Sequence, residues 1–466
     1  MRVLLLNQFY LPDVAPTGVY LHDLARVLVL RGNQVTMICS RRSYDGTKIF
    51  PRSEILDGVE VARLPATGFG RRGFTGKLAD YASFYGSLLA ALLLTRRRPD
   101  LILSLTTPPY IGLLAKLAAK RHRCRHAHWI MDLYPDVMSA HGMARNGMLI
   151  RILQKLTRFQ FKGADPVIAL GPTMADCVAR YMQDHATAST QSNGTTDTGS
   201  DNRRTVDYRQ RTSDDQPLTS EPAAFNGQAS TVHWFPLWSN SELLPWPDNE
   251  PNPLRAKRQW TPDQVVFLYS GNMGLGHRFG EFLEAARRLG ISGPRWVFAG
   301  DGKRREEVEA VAKSIPKSRI DFLGYVPHDT LRAHLCAADV HLVSLDSAWQ
   351  GFMVPSKLQG SFAVGRPVIY VGGRKCEIAV WIQESGGGWV IDENDVEGLL
   401  KAIQQALDPG ERRKRSNAAL QFARKHFNLL ANCARIAQLL EGNIAVPQPF
   451  SLAGRETFAG QAKAKQ

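Results

Sequence analysis

Twice along the chain, short β-branched runs alternate with helix-length stretches that carry apolar residues every three or four positions, once over residues 1–180 and again from 264 to 426. Alternation of this kind implies strands joined by crossover helices, and so parallel, doubly wound sheets covered on both faces. Residues 2–6 read as a first strand. Residues 18–31 read as a helix with Leu21, Leu24, Ala25 and Leu28 on one side, stopped by Gly32, and 34–40 as the next strand. Further N-terminal strands are expected at 101–105, 128–132 and 166–169. The second series starts with a strand at 265–269, a glycine-rich loop and a helix at 279–289. Strands at 296–299, 320–323, 339–343 and 388–391 follow, and helices at 395–407 and 411–426 close it. The expected fold is therefore α/β, with two doubly wound Rossmann-like lobes facing a central cleft.

Between the two series the composition turns to Thr, Ser, Asn, Asp, Gln and Gly, with almost no large apolar residue. Such a segment buries too little to offset the entropy of ordering and reads as a disordered insertion. The expected organisation is an N-terminal lobe at 1–182, the polar insertion at 183–231, an interlobe linker at 232–262, a C-terminal lobe at 263–430, and a C-terminal helix and tail at 431–466.

A formal charge of +15 favours an anionic partner, whether phosphate, nucleic acid or an acidic membrane face. No nucleic-acid recognition motif or aromatic–basic interleaving is present, so nucleic acid is set aside. The segment 77–94 carries Tyr81, Phe84, Tyr85, Leu88, Leu89 and Leu92 at helical spacing and ends beside Arg96, Arg97 and Arg98. A helix with a basic end suits an anionic bilayer, and equally a core helix with solvated cations at its C-terminus. Lys116, Lys120, Arg121, Arg123 and Arg125 add a second basic run, which favours the membrane surface. No apolar run reaches the ~20 residues of a spanning helix, and Met1 to Leu6 is too short for a signal peptide. The six cysteines are scattered without a Cys-x-x-Cys and read as reduced residues of a cytosolic protein. His122, Cys124, His126 and His128 alternate with arginines that would repel a metal ion, so no metal site is expected there.

Residues 354–370 combine a turn carrying Ser356 and Lys357, a short apolar helix, a Gly365-Arg366-Pro367 stop and a β-branched strand. Free N–H groups and a cation at a helix start can hold an anion, and a nucleotide diphosphate sugar is the first candidate. The glycine loop 270–276 and the turns at Gly300 and Gly324 should face the same cleft, as should the loop 11–18 after the first strand. That first loop lacks a G-x-G-x-x-G, so a dinucleotide site has no support.

Several ordered pieces now carry a resemblance: Tyr269-Ser-Gly-Asn-Met-Gly, Phe298-Ala-Gly-Asp-Gly, Phe322-Leu-Gly-Tyr-Val-Pro, Ala337-Ala-Asp339, Val354-Pro-Ser-Lys357 and Gly365-Arg-Pro-Val-Ile. With Phe9-Tyr-Leu-Pro, Arg31-Gly32 and Asp132-Leu133-Tyr134-Pro135-Asp136, they resemble the retaining GT-B glycosyltransferases of family 4, most closely the bacterial branch that makes lipopolysaccharide and exopolysaccharide. The resemblance implies a C-terminal lobe that holds the nucleotide-sugar donor and an N-terminal lobe that holds the acceptor. By position it puts Gly271, Asn272, His277 and Arg278 at the diphosphate with Ser356 and Lys357 opposite, Tyr325 and Val326 at the nucleobase, and Gly18 where the first loop closes over the donor. It implies no metal and no cofactor beyond the nucleotide-sugar co-substrate. Two departures stand out. Asn272 and His277 replace a basic pair, and Phe352 and Gly360 occupy the sites of two glutamates that contact the donor sugar and ribose in many members.

Lys357 can be a phosphate ligand or a solvated lysine at a helix start, and the motif favours the ligand. Asp132, at a strand end facing the cleft, can orient or deprotonate the acceptor hydroxyl, or simply cap a helix. Arg366 is explained by helix termination alone, and His126 and His128 read as structural. The expected activity is retaining transfer of a hexose-type sugar from a nucleotide diphosphate donor to a lipid-linked saccharide, peripheral on the cytoplasmic face of the membrane. A nucleotide-sugar epimerase of the same architecture and a catalytically silent scaffold of a polysaccharide assembly complex remain open beside it.

Overall fold

The computed structural model describes residues 1–13, 15–44, 46–69, 74–95, 97–142, 147–183, 232–315 and 319–442. The expected polar insertion lies almost wholly outside the described residues, as does the tail after 442. The chain forms two sheets. The first contains β1 (Arg2–Leu6), β2 (Gln34–Ser40), β3 (Ser53–Leu56), β4 (Val59–Leu64), β5 (Leu101–Ser104), β6 (Arg125–Trp129), β7 (Val167–Ala169) and β8 (Val232–Trp234), in the order β3-β4-β2-β1-β5-β6-β7-β8. The second contains β9 (Val266–Ser270), β10 (Arg295–Ala299), β11 (Ile320–Leu323), β12 (Val340–Leu345), β13 (Val368–Gly372) and β14 (Gly388–Ile391), in the order β11-β10-β9-β12-β13-β14. Every pairing is parallel except β3 with β4. The expected pair of doubly wound lobes is what the chain builds.

β1 shows why its sequence is apolar throughout. Val3 and Leu5 enter a core shared with Leu21, Leu24 and Leu28, while Leu4 and Leu6 enter another with Phe84, Leu88, Ile102 and Ile111. Successive side chains point to opposite faces, and helices cover both.

Three features depart from the expected organisation. A β3–β4 hairpin turns at Asp57 and Gly58, both with positive φ. The segment expected as a linker from 232 begins as β8, the last strand of the first sheet, because Val232, His233 and Trp234 pair with Val167, Ile168 and Ala169. The helix Leu429–Leu440 returns to the N-terminal lobe, where Cys433, Ile436, Ala437 and Leu440 bury against Pro16–Leu30, and Glu441 pairs with Arg31 at 2.6 Å.

The helix Phe74–Leu94 also differs from its membrane reading. Phe84, Leu88 and Leu92 are buried in the core against β1 and the helix Ile111–His122, so this stripe faces the sheet and is closed to a bilayer.

Candidate functional site

Each sheet has a strand whose neighbours lead the chain in opposite directions: β1 lies between β2 and β5, and β9 between β10 and β12. Loops leaving the C-terminal ends of such strands border a crevice where ligands bind. The loops after β1 and β9 are the ones singled out by sequence.

In the C-terminal lobe, the loop after β9 stacks directly on the turn after β10. Gly271 N–H donates to the Ala299 carbonyl at 2.9 Å and Met273 N–H to the Asp301 carbonyl at 2.8 Å. Gly300 has φ +117°, and a Cβ there would collide with the Gly271 carbonyl, so only glycine permits the approach. Asp301 is a turn residue whose side chain accepts from the Gly302 N–H.

This stacked pair walls a Lys–His couple. The Lys357 Nζ lies 3.1 Å from His277 Nε2 and 5.0 Å from the Tyr269 ring centre. His277 Nδ1 is 2.6 Å from the Ser344 carbonyl, an acceptor only, so Nδ1 carries the proton and Nε2 is left to accept from lysine. Burial, and then the Lys357 charge, push the His277 pKa down to about 3. Burial also brings the Lys357 ammonium down to about 7. Lys357 begins the helix Lys357–Ala363 of seven residues, too short for its dipole to matter much, so the charge this site can offer an anion is that of the side chain. Ser356, exposed beside it, faces the Tyr20 phenol of the other lobe.

The remaining residues expected at the donor divide. Asn272 is exposed, and its carbonyl accepts from the Tyr269 hydroxyl at 2.8 Å. Tyr325 is 65% exposed and Val326 half-buried on the irregular segment after β11. Arg278 is engaged elsewhere: its guanidinium bonds Glu281 and Asn394 and pairs with Asp346 at 3.4 Å and Glu393 at 3.7 Å. Arg278, Glu281, Asp346 and Asn394 line an open cavity of about 450 Å³ with Arg304 and Val396. Charge-compensated by three carboxylates, Arg278 has little left to offer a phosphate.

In the N-terminal lobe, Gly18 lets the helix Pro16–Leu30 sit against the first loop, since a Cβ there would lie 2.9 Å from the Phe9 carbonyl. The buried Arg63 donates to the Leu11 carbonyl at 2.6 Å, and Asn7 Nδ2 to the Phe9 carbonyl at 2.7 Å, which fix that loop. Asp132 lies beyond β6. Its N–H is 3.3 Å from Thr106 Oγ1, and its backbone bridges Met353 of the other lobe, with Leu133 N–H donating to the Phe352 carbonyl at 2.8 Å. Burial pushes the Asp132 carboxyl up to about 6. Phe352 thus belongs to the seam between lobes, and Gly360 packs near Leu335 and Leu243.

Sequence reasoning missed Glu377. It begins the helix Glu377–Ser385, is 1% exposed, and its Oε1 accepts from the Met174 N–H at 2.8 Å, at the start of the helix Pro172–Gln183 of the opposite lobe. Thr173 Oγ1 donates to the Lys375 carbonyl at 2.8 Å beside it, and Gly171 leaves the room the carboxylate needs. One carboxylate serves helix starts from both lobes. The paired Gly372-Gly373 just before it was the available signal.

Comparison with known proteins finds a recognised domain in each lobe. Residues 17–188 match the glycosyl transferase 4-like domain and residues 264–409 the glycosyl transferases group 1 domain. Between them the two matches span both lobes, and the chain belongs to the glycosyltransferases of GT-B fold. It is 23% identical over 418 residues to the putative colanic acid biosynthesis glycosyl transferase WcaI of Escherichia coli K12, covering 87% of this chain and 92% of that one. Among solved structures it shares its fold with sucrose-phosphate synthase from Thermosynechococcus elongatus (TM-score 0.69, 16% identity, 96% of this chain and all of that one). It also shares the fold of Anabaena HepE in complex with UDP-glucose (TM-score 0.62, 13% identity, 95% of this chain and all of that one).

Proposed function

We propose that this glycosyltransferase moves a hexose-type sugar from a nucleotide diphosphate donor to a lipid-linked saccharide during cell-surface polysaccharide assembly, with retention at the anomeric carbon. The observation that carries the reading is the Lys357–His277 couple beneath the stacked turns at Gly271 and Gly300. A lysine whose charge is costly when alone gains most from an arriving diphosphate, and such gain grows as negative charge develops on the leaving group.

In the reaction so assigned, the bond between the sugar C1 and the β-phosphate oxygen breaks. The acceptor oxygen bonds to C1 on the same face, and its proton passes to the departing diphosphate. Lys357 stabilises that diphosphate in place of a metal ion, Ser356 and the Gly271 turn line it, and Asp132 orients the acceptor hydroxyl. Tyr325 and Val326 border the base. The likeness to WcaI supports the polysaccharide setting, and HepE, solved with UDP-glucose, supports a nucleotide-sugar donor. The acceptor's lipid anchor places the work at the cytoplasmic membrane face.

Replacing Lys357 by Ala and measuring transfer to a polyprenyl-diphosphate saccharide in membranes tests the assignment; an unchanged rate removes it. Release of nucleoside diphosphate with each turnover separates transfer from epimerisation, and any donor turnover excludes a silent scaffold.

A further inference from the structure

The helix Met148–Phe161 has two unlike faces. Inward, Thr157 Oγ1 donates to the Tyr134 carbonyl at 2.8 Å, and Gln160 Nε2 donates to His128 Nε2 at 2.9 Å. The helix therefore braces the loop that carries Asp132. Outward, Met148 is 75% exposed, Leu149 59%, Ile152 48% and Phe159 57%, interleaved with exposed Arg151, Lys155 and Lys162. The neighbouring helix Ile111–His122 adds exposed Leu117, and its Lys116 ammonium sits 3.8 Å from the centre of the Phe159 ring. Neither helix contains an acidic residue.

From this we infer that the outer face of Met148–Phe161 is the surface by which the protein docks on an anionic lipid bilayer. An interfacial helix needs apolar side chains that enter the headgroup boundary and cations that meet anionic lipid, and these two helices present both with no acidic residue of their own. A soluble protein partner would need acidic groups matched to each cation; a bilayer of anionic headgroups supplies them at any register. The same helix that would lie on the lipid holds Tyr134, two residues from Asp132, so a lipid-anchored acceptor meets the orienting carboxylate without leaving the surface. This last point rests on the transferase reading above, whereas the docking itself does not.

The test is flotation of the full-length protein with vesicles of phosphatidylcholine, with or without phosphatidylglycerol. Binding is expected only with phosphatidylglycerol. Leu149→Asp with Ile152→Asp, and separately Arg151→Glu with Lys155→Glu, should each weaken it about tenfold or more while leaving thermal stabilisation by nucleoside diphosphate unchanged. Wild-type protein that fails to float with anionic vesicles, or variants that float like wild type, would overturn the inference. So would a lipid-free dimer that the Leu149 and Ile152 changes dissociate, since a second copy would then cover the face. Loss of nucleotide binding with vesicle binding intact would count against the transferase reading alone.

Discussion

His277 accepts a hydrogen bond from Lys357 through Nε2 at 3.1 Å while its Nδ1 donates to the Ser344 carbonyl at 2.6 Å, so a backbone carbonyl on β12 fixes which tautomer faces the lysine. The histidine stays neutral and the ammonium has one neutral partner in place of a carboxylate. With its pKa brought down to about 7 by burial, Lys357 has its charged and uncharged forms comparably populated near neutrality. A diphosphate favours the charged form, so binding above pH 7 should take up a proton and weaken as pH rises further. Calorimetric titrations in buffers of different ionisation enthalpy measure that uptake. Buffer-independent heats at pH 8 would contradict the lysine's part in binding.

Asp132 should act on the acceptor and leave the donor alone. Asp132→Asn is expected to lower transfer by about 10²–10⁴-fold with donor affinity unchanged. Because burial raises the carboxyl to about 6, wild-type turnover should fall as pH drops through that value, and the asparagine variant should lose that limb. A variant with equal turnover would make Asp132 a seam residue only.

The contact between the turns at Gly271 and Gly300 sets the shape of the wall beside Lys357, where the donor is proposed to bind. Gly300→Ala puts a methyl group onto the Gly271 carbonyl in a backbone region L-residues disfavour, and should cost about 1–3 kcal/mol. Urea midpoints measure that cost, and nucleotide affinity should fall with it. Full stability with full affinity would show that the turns can separate freely.

Glu377 makes a different prediction. Burial, its largest influence, outweighs the backbone N–H groups it accepts from and holds the carboxyl up to about 7. A folded pKa above the unfolded one means the native state holds the extra proton. Its contribution is therefore full below the ordinary glutamate value of 4.5 and declines as pH rises to about 7. Glu377→Gln keeps an acceptor for the Met174 N–H and loses the titration. Thermal midpoints of the variant should decline less than wild type between those limits; parallel curves would show that the carboxyl does not titrate there.

What was legible in the sequence was local. The strand Arg2–Leu6, the glycine turns and the stretch around Lys357 announce themselves through periodicity and turn residues within a few positions. The Asp57-Gly58 turn flanked by Ile55, Val59 and Val61 was equally local and could have been read as a hairpin. Partnerships across long separations were not legible. Lys357 and His277 are 80 residues apart, Glu377 and Met174 are 203 apart, and which lysine meets which histidine depends on how two sheets are ordered. The same holds for Arg278, adjacent in sequence to His277 yet turned to Glu281 and Asp346, and for Leu429–Leu440, whose apolar face does not say which lobe it will cover.

The central claim is that Lys357 clamps the diphosphate of a nucleotide-sugar donor. Titrating UDP, ADP and GDP in turn into wild-type protein and into Lys357→Ala tests it most directly. At least one should bind the wild type, and the variant should bind that nucleotide about tenfold more weakly or worse, in line with the ~1.5–3 kcal/mol of a hydrogen bond to a charged group. Equal affinity in the two proteins, or no binding of any of the three to the wild type, would contradict the account.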